Sequence, residues 1–187
     1  MSLLIQYTIL YASVLILVAL GGCFSEHSGV INLGLEGIMV MGALGGALTM
    51  KYMIGYPPAV IVILTILAAA VTGLVFSALL AVACINFKAD QTIVGTALNM
   101  LGLAAATVIV KAINIAENPD NVSATVQYIA QKKSFLVNIG GFEFNWMMLV
   151  ALVILIAAYI VLYKTKFGLR LMACGEHPQA AASVGIN

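Results

Sequence analysis

The sequence predicts an all-α integral membrane protein, a polytopic helical bundle of about five transmembrane segments. Three observations carry this. Of the 187 residues, 63% are hydrophobic and only 8% charged, against about 25% charged in an ordinary soluble domain. The mean hydropathy is +1.12, and a chain this short leaves too much surface wet for a soluble fold to hide that apolar area. The few charges are also segregated, with none at all across residues 52–87. Soluble enzymes, disordered chains, fibrous proteins and disulfide scaffolds are excluded.

The spans follow from the charge-free stretches, since a crossing helix needs ~20 mostly apolar residues. The first covers residues 4–22. No Lys or Arg precedes Lys51, so the segment lacks the basic flank of a cleaved signal peptide and reads as a retained span. The second, residues 33–50, is weaker, with Glu36 near its start and Gly34, Gly37, Gly42, Gly45 and Gly46 along it. Gly42 and Gly46 form a GxxxG pair, which lets another helix backbone approach closely. A helix this rich in glycine belongs inside a bundle, either crossing fully or re-entering where protein covers it. Pro57-Pro58 punctuates the front of the third span, 59–85. A short polar connection with Lys88 and Asp90 leads to the fourth, 92–110. A wet loop from Lys111 to Asn145 follows, and Trp146, an interfacial anchor, opens the fifth span, 146–163. Residues 1–163 thus form the bundle and 164–187 a polar tail.

Charge places the tail only narrowly. With the tail cytoplasmic, Lys88, Lys164, Lys166 and Arg170 lie inside, and Lys51, Lys111, Lys132 and Lys133 outside. The tie is broken by the tight cluster just after the fifth span, because charges near span ends weigh most. The N-terminus is then outside if all five segments cross, and inside if the second only re-enters. The net charge of +1 supplies no basic field for nucleic acid. Cys23, Cys84 and Cys174 are far apart, giving neither a disulfide framework nor a metal site, and read as packing residues.

Three polar motifs interrupt the apolar pattern. In EHSGVINLGLEG, residues 26–37, a helix would bring Ser28, Asn32 and Glu36 to one face at i, i+4 spacing. Such a patch lines a pathway or pins a broken helix; the alternative is an interfacial turn with solvated carboxylates. In DQTIVGTALN, residues 90–99, Asp90 and Thr92 suit a helix start. Thr96 and Asn99 then lie within the span. Asn99 either lines a substrate path or hydrogen-bonds a neighbouring helix, the commoner arrangement. In the tail, Pro178 suits the first turn of a short helix and Gly185 its end. That helix is too short to stand alone. Ala180, Ala181 and Ala182 keep it narrow enough to enter a groove on a partner.

Taken together, these motifs resemble the permease subunits of bacterial ABC importers. The match is to the simple-sugar and nucleoside branch, within the branched-chain amino acid/ribose-type permease superfamily, partnered by a basic-membrane-lipoprotein type of binding protein. Glu26 and residues 28–37 match its first pattern, with His27 where a basic residue is usual. Gly95, Ala97, Leu98 and Asn99 match the fourth-span pattern. Gly168, Leu169, Arg170, Ala173, Gly175, Glu176, Pro178, Ala180, Ala181, Gly185 and Ile186 match the tail, with His177 where Asn is more usual. The resemblance implies a multi-pass protein of the bacterial cell membrane carrying nucleosides or, alternatively, simple sugars such as ribose or galactose. It implies a cytoplasmic ATPase subunit, a second permease chain and an extracytoplasmic substrate-binding lipoprotein as partners. The tail would couple to the ATPase through Gly168, Leu169, Arg170, Gly175, Glu176, His177, Pro178, Ala180 and Ala181. Ser28, Asn32, Glu36, Thr96 and Asn99 are the candidate substrate pathway. A second set of spans is expected after the tail motif, so the chain reads as an N-terminal fragment.

No GxxxxGK[ST] loop or Gly-Lys dipeptide occurs, nor HExxH, GxSxG or SxxK. The chain is therefore expected to be no enzyme and to bind no cofactor or metal, with ATP held on the partner subunit. The competing classes are an intramembrane enzyme or a small channel. An enzyme places several ionisable groups at membrane depth, and beyond Glu36 the predicted span interiors hold none. A channel has no use for the GEHPQAA tail.

Overall fold

The computed structural model describes residues 2–126, 135–139 and 142–186. In chain order the elements are α1 (Ser2–His27), α2 (Leu35–Tyr52), α3 (Pro58–Ala81), α4 (Gln91–Glu117), β1 (Leu136–Ile139), β2 (Phe142–Asn145), α5 (Met147–Lys164), α6 (Lys166–Glu176) and α7 (Pro178–Ser183). Among the described residues, α1, α4, α5 and α3 with its extension are the four helices long and apolar enough to cross a membrane. This is a multi-pass helical membrane protein. The second predicted span forms a helix, α2, with Glu36 and Lys51 near its two ends, and it is not among these four.

The chain divides into two compact units: Met1–Asn32 with Leu136–Asn187, and Leu33–Phe135. In the second unit α2 packs against both α3 and α4. The glycines of α2 explain how. A Cβ on Gly42 would stand 3.3 Å from the Ala69 carbonyl oxygen, and one on Gly46 3.4 Å from the Ala69 and Thr65 side chains, so the GxxxG pair admits α3 closely. On its other side Gly37 meets Gly102 of α4, where an added Cβ would lie 2.7 Å from the Gly37 Cα. Leu44, Ala106 and Val110 form the buried apolar cluster beyond that contact. In the first unit α1 packs along α5 and against α6, and α7 folds back onto α6.

Helix ends follow the local chemistry. Asp90 caps α4, its carboxylate accepting from Thr92 N at 2.9 Å and Ile93 N at 3.1 Å. Pro57 precedes α3 and Pro58 occupies its first position. α3 then runs into one π-helical turn, Val82–Asn86, and Lys88 adopts φ +52° in the connection.

Several boundaries differ from expectation. α1 does not stop at Gly22 but continues to His27, where Gly29 at φ +83° closes it: Gly29 N donates to Glu26 O and Val30 N to Ser25 O. This is the Schellman arrangement, and it depends on a residue that tolerates the left-handed region. Ser28 and Asn32 therefore fall in the turn between α1 and α2, and Ser28, Asn32 and Glu36 share no helix face. α4 runs seven residues past the expected end at 110, to Glu117, which puts Lys111 on a helix rather than in a wet loop. The expected loop also contains an antiparallel hairpin, pairing Leu136 with Asn145 and Ile139 with Phe142. Lys132 and Lys133 lie outside the described residues. In the tail, α6 precedes the expected short helix, which is present as α7 and ends in a second Schellman arrangement: Gly185 at φ +77° donates to Ala182 O and Ile186 N to Ala181 O.

Candidate functional site

In the second unit the feature of interest is the start of α2. Leu33 O and Gly37 N stand in the i, i+4 relation of a helical hydrogen bond, yet the Asn99 amide occupies the place between them. Asn99 Nδ2 donates to Leu33 O and Asn99 Oδ1 accepts from Gly37 N, each at 2.8 Å. A primary amide presents a donor and an acceptor side by side, as a peptide does, so Asn99 replaces one rung of the helical ladder from a neighbouring helix. The next rung, Ile38 N to Gly34 O, is ordinary. Close approach makes this possible: a Cβ on Gly95 would lie 2.8 Å from the Leu33 Cβ, and one on Gly37 2.5 Å from the Leu98 carbonyl oxygen. Asn99 thus takes the second of its two anticipated roles, bonding a neighbouring helix.

The other expected pathway residues do not converge there. Thr96 is exposed, with its hydroxyl donating to Thr92 O and Ile93 O of its own helix. Glu36 is exposed in the first turn of α2, where a carboxylate complements the positive helix end. Ser28 Oγ donates to Ser25 O, a local bond that finishes α1, and Asn32 is half-buried.

At the far end of the same unit are groups that sequence reading missed. Asn114 is 1% exposed, and its amide donates to Ser123 O and Thr125 O, both at 2.9 Å, tying the segment after α4 to that helix. Lys51 Nζ is buried 2.6 Å from Glu117 Oε1 without hydrogen-bond geometry, so the contact is charge to charge. Gly95, Leu98, Gly102, Ala106, Val110 and Asn114 are the buried face of α4. Their three- and four-residue spacing was the available signal.

In the first unit two of the sequence motifs meet. Gly175, at the end of α6, lies so close to the turn after α1 that a Cβ there would stand 2.9 Å from Gly29 N and closer still to the His27 carbonyl oxygen. The reverse holds for Gly29, whose added Cβ would be 3.1 Å from the Gly175 Cα. His27 Nδ1 is 2.7 Å from Cys23 O, and its ring meets Tyr163 of α5 edge-on at 6.2 Å. At the α5–α6 corner Thr165 caps α6, and Gly168 is required because a Cβ would enter the Leu162 carbonyl group.

The tail residues separate by face. Glu176, His177, Pro178 and Ala180 are exposed, whereas Ala181 is 4% exposed and faces inward. The expectation that Ala181 itself enters a partner groove is corrected: one side of a short helix must hold it to its own protein, and Ala181 is on that side. Leu169 and Arg170 line a different groove, with Lys164 and Lys166. Among the described residues no group of three His, Cys, Asp or Glu side chains could hold a metal ion.

Residues 4–187 match the family described as the permease component of the branched-chain amino acid transport system. The chain belongs to this family. Among its curated relatives is a guanosine ABC transporter permease of Bacillus subtilis, 39% identical over 100% of this chain and 60% of the relative. A nucleoside ABC transporter permease of Lactococcus lactis is 35% identical, again over 100% of this chain and 60% of the relative. A putative glucose ABC transporter permease of Haloferax volcanii is 31% identical over 98% and 54%. The chain therefore spans about 60% of the length of the first two. No solved structure matches it. A chain of this permease family with several helices apolar enough to cross a bilayer is a multi-pass membrane protein.

Proposed function

We propose that the chain forms part of the membrane pathway of an ATP-driven importer, as its permease subunit, and that the substrates are nucleosides. The observation that carries this is the likeness, end to end along the chain, to a guanosine and a nucleoside permease at 39% and 35% identity. The glucose-permease likeness at 31% makes simple sugars the second reading. In this proposal a cytoplasmic ATPase subunit binds and hydrolyses ATP, and this chain holds no cofactor. A second permease chain completes the pathway, and an extracytoplasmic substrate-binding lipoprotein delivers the substrate.

The coupling element in this proposal is α7 with the end of α6. Its exposed residues Glu176, His177, Pro178 and Ala180 contact the ATPase, while inward-facing Ala181 holds α7 on the protein. Closure of the ATPase moves the tail, Gly175 hands the displacement to the end of α1, and the Gly168 corner hands it to α5. Packed helices of this kind switch between discrete arrangements rather than deform continuously, which suits alternating access. Asn99 is a positioning residue that fixes the start of α2. The tail is cytoplasmic and the segment between α4 and α5 external.

Uptake of radiolabelled guanosine, ribose and glucose by cells carrying the full-length gene with its ATPase and binding protein tests the substrate. ATP-dependent guanosine uptake that vanishes on deletion of the gene is expected. Intact nucleoside uptake with lost sugar uptake refutes the first reading in favour of the second. For the orientation, a Ser134→Cys variant should be labelled by an impermeant thiol reagent in intact cells. Labelling only after the cells are opened refutes it.

A further inference from the structure

Where α5 ends, α5, α6 and the chain after α7 enclose a groove of about 590 Å³. Its lining has two chemistries. Lys164, Lys166 and Arg170 supply three cations, and Leu162, Met172 and Ile186 are among its apolar walls. No acidic side chain lines it, and among the described residues none of the three cations has an acidic partner. Three like charges thus share one groove, and Lys166 sits in the first turn of α6, where the helix end is already positive and no acid offsets it. An anion complements both features.

The position fixes what kind of anion. α5 is one of the membrane-crossing helices and Lys164 is its last residue, so the groove lies at the boundary between hydrocarbon and water. Tyr163, which also lines it, is the aromatic residue type that settles at that level. A soluble phosphate would use only the cations and leave Leu169, Met172, Val184 and Ile186 wet. A phospholipid uses both, with its phosphate among the cations and the first carbons of its chains along the apolar wall. We propose that this groove is a binding site for one anionic phospholipid, with Arg170 positioned to fork onto the phosphate and Lys164 and Lys166 supplying charge. The site needs no assumption about which leaflet it faces or what the protein transports.

The test uses the full-length subunit in bilayers of equimolar phosphatidylglycerol and phosphatidylcholine, with native mass spectrometry counting the lipid that stays bound. Wild-type protein should retain phosphatidylglycerol over phosphatidylcholine. The double variant Lys164→Gln/Lys166→Gln should lose roughly tenfold in that preference, while the charge-matched Lys88→Gln/Lys111→Gln should keep it. Retention of the preference by the first variant, or equal loss in both, overturns the proposal. A second measurement leaves the protein unaltered: phosphatidylglycerol carrying a photoreactive diazirine near its headgroup should crosslink to the peptide spanning residues 162–172. Labelling spread over other peptides, or none there because another part of the full-length chain fills the groove, overturns it as well.

Discussion

Replacing Asn99 by Leu removes both bonds to the start of α2 while keeping a side chain of similar volume. The Leu33 carbonyl and the Gly37 N–H, each now paired at 2.8 Å, lose their partner. Gly37 is buried, so water does not replace the bond to its N–H. An unsatisfied buried group costs about 1–3 kcal/mol in soluble proteins. Interhelical bonds in membranes average nearer ~0.6 kcal/mol, because the unfolded chain in the bilayer also finds partners. Two such bonds bracket the loss at about 1–3 kcal/mol, the lower end applying if Leu33 O and Gly37 N close on each other and lengthen α2. At roughly 2–4 °C per kcal/mol for a chain of this size, the Tm should fall by several degrees. Asn99→Asp keeps the acceptor for Gly37 N but sets a second acceptor against Leu33 O, so it should destabilise too. Thermal unfolding of the purified full-length subunit, followed by size-exclusion chromatography, reads the shift, and uptake in cells reads the function. A positioning role predicts a lowered Tm with reduced maximal transport. A raised KM with unchanged Tm would place Asn99 against the substrate instead and refute the positioning role.

Gly175→Ala should insert a methyl group into the His27–Gly29 backbone, and since overpacking costs about 1–3 kcal/mol, substrate-stimulated ATP hydrolysis should fall even where the subunit inserts normally; unchanged stimulation in the assembled complex refutes the α1–α6 linkage. Ala180→Glu, at an exposed position, should lose the ATPase on co-purification without lowering Tm, whereas Ala181→Glu should lower Tm as well; identical behaviour of the two contradicts the inward orientation of Ala181. Glu117→Gln should lower Tm more than Lys51→Met, because it strands a buried ammonium, by on the order of 1–2 kcal/mol given the half-exposed carboxylate; the reverse order in thermal unfolding refutes the pairing. Gly102→Ala should separate α2 from α4 at Gly37 and reduce expression of folded protein, and a wild-type Tm rules that contact out as a constraint.

By itself the sequence determined that this is a polytopic helical membrane protein, because composition and charge spacing act through the bilayer and need no knowledge of partners. It also determined the ends dictated by local backbone chemistry: Asp90 opening α4, Pro58 opening α3, and Pro178 and Gly185 bounding α7. It placed the end of the first span too early, at residue 22, because the helix runs on past the apolar stretch until the left-handed Gly29 stops it. Only the tertiary structure decided which of its two roles Asn99 fills, since its partners Leu33 and Gly37 lie 66 and 62 residues away and no periodicity links them. The same holds for the contact of Gly29 with Gly175 and for the inward face of Ala181. A glycine declares in sequence that something comes close, and a buried amide that something answers it. What comes close, and what answers, depends on how distant helices pack, and a single chain of letters carries that information only through the fold.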